Sequence, residues 1–168
     1  MLSLIAREAG GAGVSYDPPP GYPPLRRAIS RRAVDWGSAI APEEIVTTIG
    51  CMEALHVCLR AVTRPGDTVA VESPTFYGTL QLLEGLGLRV WEIPAHPRTG
   101  IDLELFETAL SGGQIDAALV TPNFNNPLGT AMPDEAKEKL VGLSERYRIP
   151  LIEDDVYGDL FFGPTRPR

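Results

Sequence analysis

The chain has 168 residues, a formal net charge of −7 and 43% hydrophobic residues. This length is enough to bury one hydrophobic core, and the acidic balance argues against a nucleic-acid-binding surface in this segment. No apolar run approaches membrane-spanning length, and the region after Met1 lacks the basic and then apolar arrangement of a secretion signal. We therefore expect a cytoplasmic protein without membrane contact.

The cysteines and histidines are too few and too scattered for a metal site. Cys51 and Cys58 lie on one predicted helix, a placement that favours buried thiols over a disulfide. His56 and His96 are the only histidines, and no metal-ligand spacing includes them. We predict neither a disulfide nor a metal centre.

Both ends of the chain suggest a longer protein. The sequence starts at Met1 without a helix cap or a preceding element, and Gly163–Arg168 is typical of a loop that leads to further structure. We expect a fragment.

The first part of the chain is rich in glycine and proline. Residues 10–22 must be irregular, because Pro18–Pro20 cannot donate hydrogen bonds to a ladder. Pro23 and Pro24 suit the first turn of a helix that runs to about Trp36. This helix carries four arginines, for which a solvated face is the favoured interpretation and a phosphate contact the alternative. They are Arg26, Arg27, Arg31 and Arg32.

From Pro42 onward, predicted strands and helices alternate. This alternation favours an α/β fold of three layers, a mostly parallel sheet between helices, without a linker that divides two domains. The predicted strands are Ile45–Ile49, Thr68–Glu72, Arg89–Ile93, Ile115–Thr121 and Ile149–Glu153, and the predicted helices are Cys51–Val62, Phe76–Leu86, Leu103–Leu110 and Asp134–Tyr147.

Three carboxylates follow the last predicted strand directly. The apolar pair Leu151–Ile152 is followed by Glu153–Asp155, and Tyr157 lies three residues after Asp154. In open α/β sheets, ligands bind outside the carboxyl ends of the strands. The acidic run therefore either faces a positively charged ligand group or forms a solvated cap.

Three other segments also follow predicted strands. Gly50 allows a tight turn before a helix whose first N–H groups favour an anion, although most such turns bind nothing. Phe76, in Ser73–Gly78, either stacks on a flat ligand or packs with Tyr77 at the next helix. The loop Thr121–Thr130 holds three asparagines, and turn chemistry alone would explain one of them.

Nucleotide-binding motifs are absent from these turns. No P-loop motif occurs, and Gly10–Gly13 follows no strand, so a dinucleotide-binding fingerprint is unsupported. An anion-binding turn, an aromatic ring, an amide, a carboxylate and a phenol at one sheet edge instead suit a planar pyridine ring. That ring would carry a phosphate, a phenolic oxygen and a protonated nitrogen, which describes pyridoxal phosphate.

Three motifs in this order carry a family resemblance across essentially all 168 residues. They are Ile49–Leu55, Pro122–Gly129 and Ile152–Leu160. The chain resembles the large domain of the class I/II aminotransferases, which are pyridoxal-phosphate dependent and of fold type I. It is most similar to the aminotransferase-like half of MocR-type GntR transcriptional regulators.

The resemblance implies roles for four residues around the pyridine ring. Asp154 would pair with the ring nitrogen and keep it protonated, so that the ring can act as an electron sink. Tyr157 and Asn126 would hydrogen-bond the phenolic oxygen. Phe76, where the family usually has tyrosine or another aromatic, would stack on the ring.

The resemblance also implies how the phosphate is held. The backbone N–H groups of Cys51 and Met52 would bind it, with the Cys51 thiol in place of the usual serine hydroxyl. Tyr16 matches a tyrosine that reaches the phosphate bound by the other subunit. A homodimer with shared active sites follows from this match.

The family's Schiff-base lysine lies in a motif that the sequence does not reach before Arg168. Lys137 and Lys139 are the only lysines, and both are expected on a solvated helix face. We therefore predict no catalytic residue here, and expect residues 1–168 to be a partial large domain without its N-terminal flank and its lysine-bearing part.

Three functional hypotheses remain open at this point. The chain is part of a transaminase that acts on an amino acid or amine, part of a MocR-type regulator that senses such a compound or the cofactor, or an inactive fragment. DNA contact would come only from a module upstream of this segment. An upstream DNA-binding module would favour the regulator.

Overall fold

The computed structural model describes residues 16–163 and 166–167. These residues belong to two compact units, residues 1–48 and residues 49–168. The predictions for the segments around Met1 and Gly10–Gly13 lie outside the described residues.

The first unit contains helix α1, Pro23–Ala33, which begins with two prolines as predicted. A 3-10 turn, Val34–Trp36, continues it and ends at Gly37 with φ of 78°. The predicted helix end at Trp36 therefore includes one turn that is not α-helical. Glycine easily adopts the left-handed conformation that Gly37 has, and this conformation stops a helix.

The arginine-rich helix is solvated on most of its length. Arg27, Arg31 and Arg32 are exposed, which confirms the favoured interpretation for them. Arg26 is half-buried, and its guanidinium donates to Gly21 O at 3.2 Å and Pro42 O at 2.8 Å. For Arg26 the predicted solvated position was wrong, because its donors satisfy backbone carbonyls of the surrounding turns.

The predicted strand at Ile45–Ile49 was wrong. Ile45 has extended backbone, with φ of −101° and ψ of 126°, but it belongs to no strand. The N–H of Thr47 donates to Pro20 O at 2.9 Å in a loop contact instead of a ladder. An apolar extended segment becomes a strand only where a neighbouring strand supplies hydrogen-bond partners.

The second unit contains one five-stranded sheet in the order β3-β2-β1-β4-β5, as far as the residues are described. All pairs are parallel except β2 with β3. The strands are β1 Thr68–Ser73, β2 Arg89–His96, β3 Gly100–Ile101, β4 Ala117–Val120 and β5 Leu151–Glu153. The helices are α2 Cys51–Val62, α3 Tyr77–Gly85, α4 Leu103–Ser111 and α5 Asp134–Tyr147.

Helices cover both faces of this sheet, which confirms the predicted three-layer α/β/α class. On one face, Val69 and Val71 of β1 pack with Leu59 of α2 and Leu83 of α3. On the other face, Ala70 lies in a cluster with residues of α4 and α5. Alternate residues of β1 thus enter opposite layers, as the period of two in a strand requires.

The cysteines differ from the prediction of two buried thiols. Both are free; Cys51 is half-buried and Cys58 is exposed. Helix α2 buries Leu55 and Leu59. Because one residue is about 100° of helix rotation, Cys58 turns away from the face that Leu59 buries.

Among the described residues, no group of three or more His, Cys, Asp or Glu side chains could hold a metal ion. The helices of that same part of the chain are all too short or too polar to cross a membrane.

Candidate functional site

The carboxyl ends of β1, β4 and β5 lie side by side. Val71 of β1 pairs with Leu119 of β4, and Leu119 pairs with Ile152 of β5. Because the three strands are parallel, the segments that follow them emerge at the same edge of the sheet. This edge therefore collects the predicted ligand residues of the second unit.

The start of α2 has the form of an anion-binding turn. Gly50 precedes the helix with φ of 83° and ψ of 171°, and its own position carries no side chain that could cap the helix N-terminus. A β-carbon at position 50 would meet no atom of the described residues within 4 Å. The positive φ, and not a lack of space, therefore favours glycine there. The first N–H groups of such a helix, at Cys51 and Met52, can donate to an anion.

Asp154 lies at this helix start. Its Oδ1 accepts from Cys51 Sγ at 3.3 Å and from the N–H of Val156 at 3.2 Å. The Cys51 contact joins positions 103 residues apart in sequence. It brings the predicted ring-nitrogen partner and the predicted phosphate-binding turn together.

The Cys51 thiol acts as a donor in this contact. Burial, followed by the negative charge of Asp154, raises the pKa of Cys51 to about 11. The thiol therefore keeps its proton at neutral pH and donates it toward the carboxylate.

The side chains of the acidic run 153–155, at the end of β5, lie toward two faces of the sheet. Ile152 belongs to the cluster of α2 and α3, and Asp154 lies toward α2. Glu153 instead lines a cavity of about 410 Å³ beside α5, and Asp155 accepts from Asn123. Of the three carboxylates, only Asp154 lies at the start of α2.

Asp155 belongs to a polar network behind this edge. Asn123 is fully buried; its Nδ2 donates to Asp155 Oδ1 at 2.9 Å, and its Oδ1 accepts from Lys137 Nζ at 2.7 Å. Arg166 binds Asp155 and, at 3.1 Å, Asp159. The network ties the loop after β4, helix α5 and the turn after β5 to one another.

Lys137 was wrongly predicted on a solvated face. Its side chain is only 14% exposed, and burial lowers the pKa of its ammonium. Lys137 precedes the buried Leu140 by three residues, so both lie on the side of α5 that faces the sheet. Lys139 is exposed, as predicted.

Sequence reasoning missed Glu72, the best-buried acid of the site. Glu72 is 2% exposed at the end of β1, where its Oε2 accepts from the N–H of Thr121 at 2.8 Å and its Oε1 accepts from Asn125 Nδ2 at 3.4 Å. Burial raises its pKa to about 7, against the lowering effect of both hydrogen bonds. The available signal was one acid that ends an otherwise apolar buried strand.

The other predicted residues of the second unit are accessible. Asn126 is exposed in the loop after β4, and Tyr157 is half-buried after β5. Phe76 is half-buried after β1 and contacts the ring of Tyr77 at 4.6 Å between centroids. Met52 is 42% exposed.

Tyr16 belongs to the first unit and is fully exposed. The predicted role of Tyr16 toward a second subunit concerns a contact outside this single chain. It remains a prediction.

A family model described as aminotransferase class I and II matches residues 3–168. The chain belongs to this family. Class I and II aminotransferases and the solved structures that resemble the chain are pyridoxal-phosphate dependent. The predicted family resemblance is thereby confirmed.

Relatives of two functional kinds are similar to this chain in sequence. The HTH-type transcriptional regulator YjiR of Escherichia coli is 44% identical over 99% of the chain. The 2-aminoadipate transaminase of Thermus thermophilus is 31% identical over 96% of it. The chain spans 36% and 39% of the lengths of these two relatives.

Solved aminotransferase structures share the fold. LysN, the α-aminoadipate aminotransferase of Thermus thermophilus complexed with N-(5'-phosphopyridoxyl)-L-leucine, gives a TM-score of 0.88 at 30% identity, over 98% of this chain and 41% of LysN. Aspartate aminotransferase from Thermus thermophilus with maleate gives 0.87 at 29% identity, over 99% of this chain and 44% of that protein.

Proposed function

We propose that residues 1–168 form part of the large domain of an aminotransferase-like protein, bind pyridoxal phosphate and act on an amino acid or amine. The contact between Cys51 Sγ and Asp154 Oδ1 carries this proposal, because it joins an anion-binding turn to a carboxylate. The phosphopyridoxyl group bound in the similar structure of LysN supports the choice of cofactor.

The residues present fit the cofactor's polar groups. The start of α2 suits the phosphate, because helix N-termini favour anions. Asp154 is half-buried beside it and suits a protonated ring nitrogen. The amide of Asn126 and the phenol of Tyr157 are hydrogen-bond donors for the phenolic oxygen.

Pyridoxal phosphate, when bound, supplies an electron-withdrawing ring that stabilises negative charge at the α-carbon of an amino acid. Asp154 would hold the proton of the ring nitrogen, and the Cys51 thiol and the N–H of Val156 orient its carboxylate. Phe76 would cover one face of the ring and exclude water from it.

Binding of pyridoxamine 5'-phosphate tests the proposal, because this form of the cofactor lacks the aldehyde that reacts with any lysine. Asp154→Asn should weaken binding about tenfold, since it removes a charged hydrogen bond. The exposed Asp35→Asn, outside the proposed site, is the matched control. Equal affinity of the wild type and Asp154→Asn would contradict the assignment of Asp154 as the partner of the ring nitrogen.

We also propose that the protein is a homodimer in which Tyr16 reaches the partner's phosphate site. The full exposure of Tyr16 in the single chain is compatible with a contact to another subunit. Light scattering of the protein tests the dimer, and Tyr16→Phe should then weaken binding of pyridoxamine 5'-phosphate. A monomer that binds the cofactor with unchanged affinity would contradict this arrangement.

A second candidate function is the sensor domain of a MocR-type regulator. Two HTH-type regulators of Escherichia coli, YjiR and YdcR, are 44% and 43% identical, against 31% for the 2-aminoadipate transaminase. In this case the same site would detect an amino compound or the cofactor. Sequencing the coding DNA on both sides of this segment distinguishes the two candidate functions, because an upstream helix-turn-helix supports the regulator.

A further inference from the structure

Glu72 is a buried carboxylate that no step of the proposed function uses. It lies at the end of β1 and is 2% exposed. Burial of an ionisable group is costly unless its hydrogen bonds are satisfied. Glu72 meets this condition through two donors from one segment, the N–H of Thr121 at 2.8 Å and Asn125 Nδ2 at 3.4 Å.

The loop that these donors belong to carries Asn126. Asn125 closes the loop: its backbone N–H donates to Thr130 O at 3.2 Å, and its backbone carbonyl accepts from the N–H of Gly129 at 2.6 Å. Its side-chain Oδ1 accepts from the N–H of Thr130 at 3.3 Å. Both ends of the Asn125 side-chain amide are therefore in use, one toward Glu72 and one across the loop.

We propose that Glu72 is a positioning residue of the cofactor site, which holds Asn125 and the start of the 121–130 loop and thereby presents Asn126 to the cofactor. This role rests on the proposed function, because it assigns Asn126 a ligand. Glu72 does not touch the ligand; it acts through Asn125, the immediate neighbour of Asn126 in sequence.

Only an ionised Glu72 satisfies all these donors at once. A protonated carboxyl turns one of its two acceptor oxygens into a donor. The Asn125 amide cannot compensate by rotating, because its NH₂ group would then face the N–H of Thr130. Protonation of Glu72 should therefore loosen the loop.

The burial of Glu72 places this change near neutral pH. Burial and, more weakly, the charge of Asp154 after β5 raise its pKa to about 7. From α2, the Cys51 thiol stays neutral. On β2, the Glu92 carboxylate accepts from Ser73 Oγ at 2.6 Å. Affinity for pyridoxamine 5'-phosphate should fall as the pH is lowered through about 7.

A reciprocal pair of substitutions tests the contact in the whole protein. Glu72→Gln places an NH₂ group against the NH₂ group of Asn125, and Asn125→Asp places two carboxylates together. In the double variant, the NH₂ group of Gln at position 72 donates to Asp at position 125, and every N–H regains an acceptor. Each single variant should weaken binding of pyridoxamine 5'-phosphate about tenfold, and the double variant should restore it to within about twofold.

The pH profile separates positioning from a loss of fold. The ratio of wild-type to Glu72→Gln affinity should change between pH 6 and pH 8, whereas the ratio for the exposed control Glu84→Gln should not. In the ligand-free protein, the NMR signal of the Asn125 side-chain amide should titrate near pH 7 and lose this titration in Glu72→Gln. If Asn125→Asp does not fold, Glu72→Gln and the double variant still test the contact between positions 72 and 125.

Two negative results have different meanings. If the wild type does not bind pyridoxamine 5'-phosphate at any pH, the proposed function fails and this role fails with it. If the wild type binds, but Glu72→Gln behaves like Glu84→Gln at both pH values, only the proposed role of Glu72 is overturned and the proposed function stands.

Discussion

Two acids, Glu72 and Asp154, lie at the same edge of the sheet, and they have different surroundings. Glu72 at the end of β1 is 2% exposed and bound by a backbone N–H and an amide. Asp154 after β5 is half-buried at the start of α2, beside the Cys51 thiol. Burial depth thus separates an acid that supports a loop from an acid that is accessible to a ligand.

The largest expected effect comes from Asp154. In a full-length protein that carries this chain and transaminates, Asp154→Ala should slow the reaction on the order of 1,000-fold, because a charge that matters most in the transition state is removed. Binding of pyridoxamine 5'-phosphate should weaken only about tenfold. Turnover and binding are measured on the same preparation, and unchanged turnover would contradict the assignment.

The pH dependence of stability should come from Glu72. Its pKa is raised from 4.5 to about 7 on folding, so its contribution is fully present below about pH 4.5 and is lost as the pH rises through about 7. This loss amounts to about 3 kcal/mol of the free energy of unfolding. Urea unfolding at pH 5 and pH 8 measures most of it, and Glu72→Gln should show a smaller difference between the two pH values.

A third acid, Asp155, sharpens the comparison, because it accepts a hydrogen bond from the side-chain amide of the fully buried Asn123. Asn123→Ala removes a partner of both Asp155 and Lys137 and should lower the free energy of unfolding by about 2 kcal/mol. The exposed Asn126→Ala is the matched control and should change it by less than about 0.5 kcal/mol. Equal effects in urea unfolding would show that the buried network adds nothing to stability.

The smallest effect concerns the donor to Asp154. Cys51→Ser replaces a weak thiol donor by a hydroxyl and should tighten binding of pyridoxamine 5'-phosphate about threefold. Isothermal titration of the variant and the wild type measures the change. Weaker binding by Cys51→Ser would mean that the larger sulfur atom contributes packing that a hydroxyl cannot replace.

Local signals predicted the helices well. The bounds of α2, Cys51–Val62, and of α5, Asp134–Tyr147, agree with the prediction. Gly50 before α2 and Pro133 before α5 mark helix starts within a few residues, because their backbone preferences act locally. The short antiparallel strand Gly100–Ile101 was missed, since two residues carry no periodicity.

Contacts between distant segments were harder to predict. Ile45–Ile49 has the residue types of a strand but no ladder partner among the described residues. Lys137 is of a residue type common at solvated helix positions, but it donates to the buried Asn123. In both cases the residue types are compatible with two environments. Which environment is adopted depends on whether another segment of the chain supplies a suitable neighbour.

The sequence by itself determined the helix starts, the α/β class, the family and the run of site motifs, because these depend on residue types at close spacing. Only the tertiary structure decided which acids lie together and how deeply each is buried. It set Asp154 against Cys51 and enclosed Glu72 beneath the 121–130 loop. Burial and hydrogen bonding, which control the charge of a carboxylate, arise from packing between strands that are tens of residues apart.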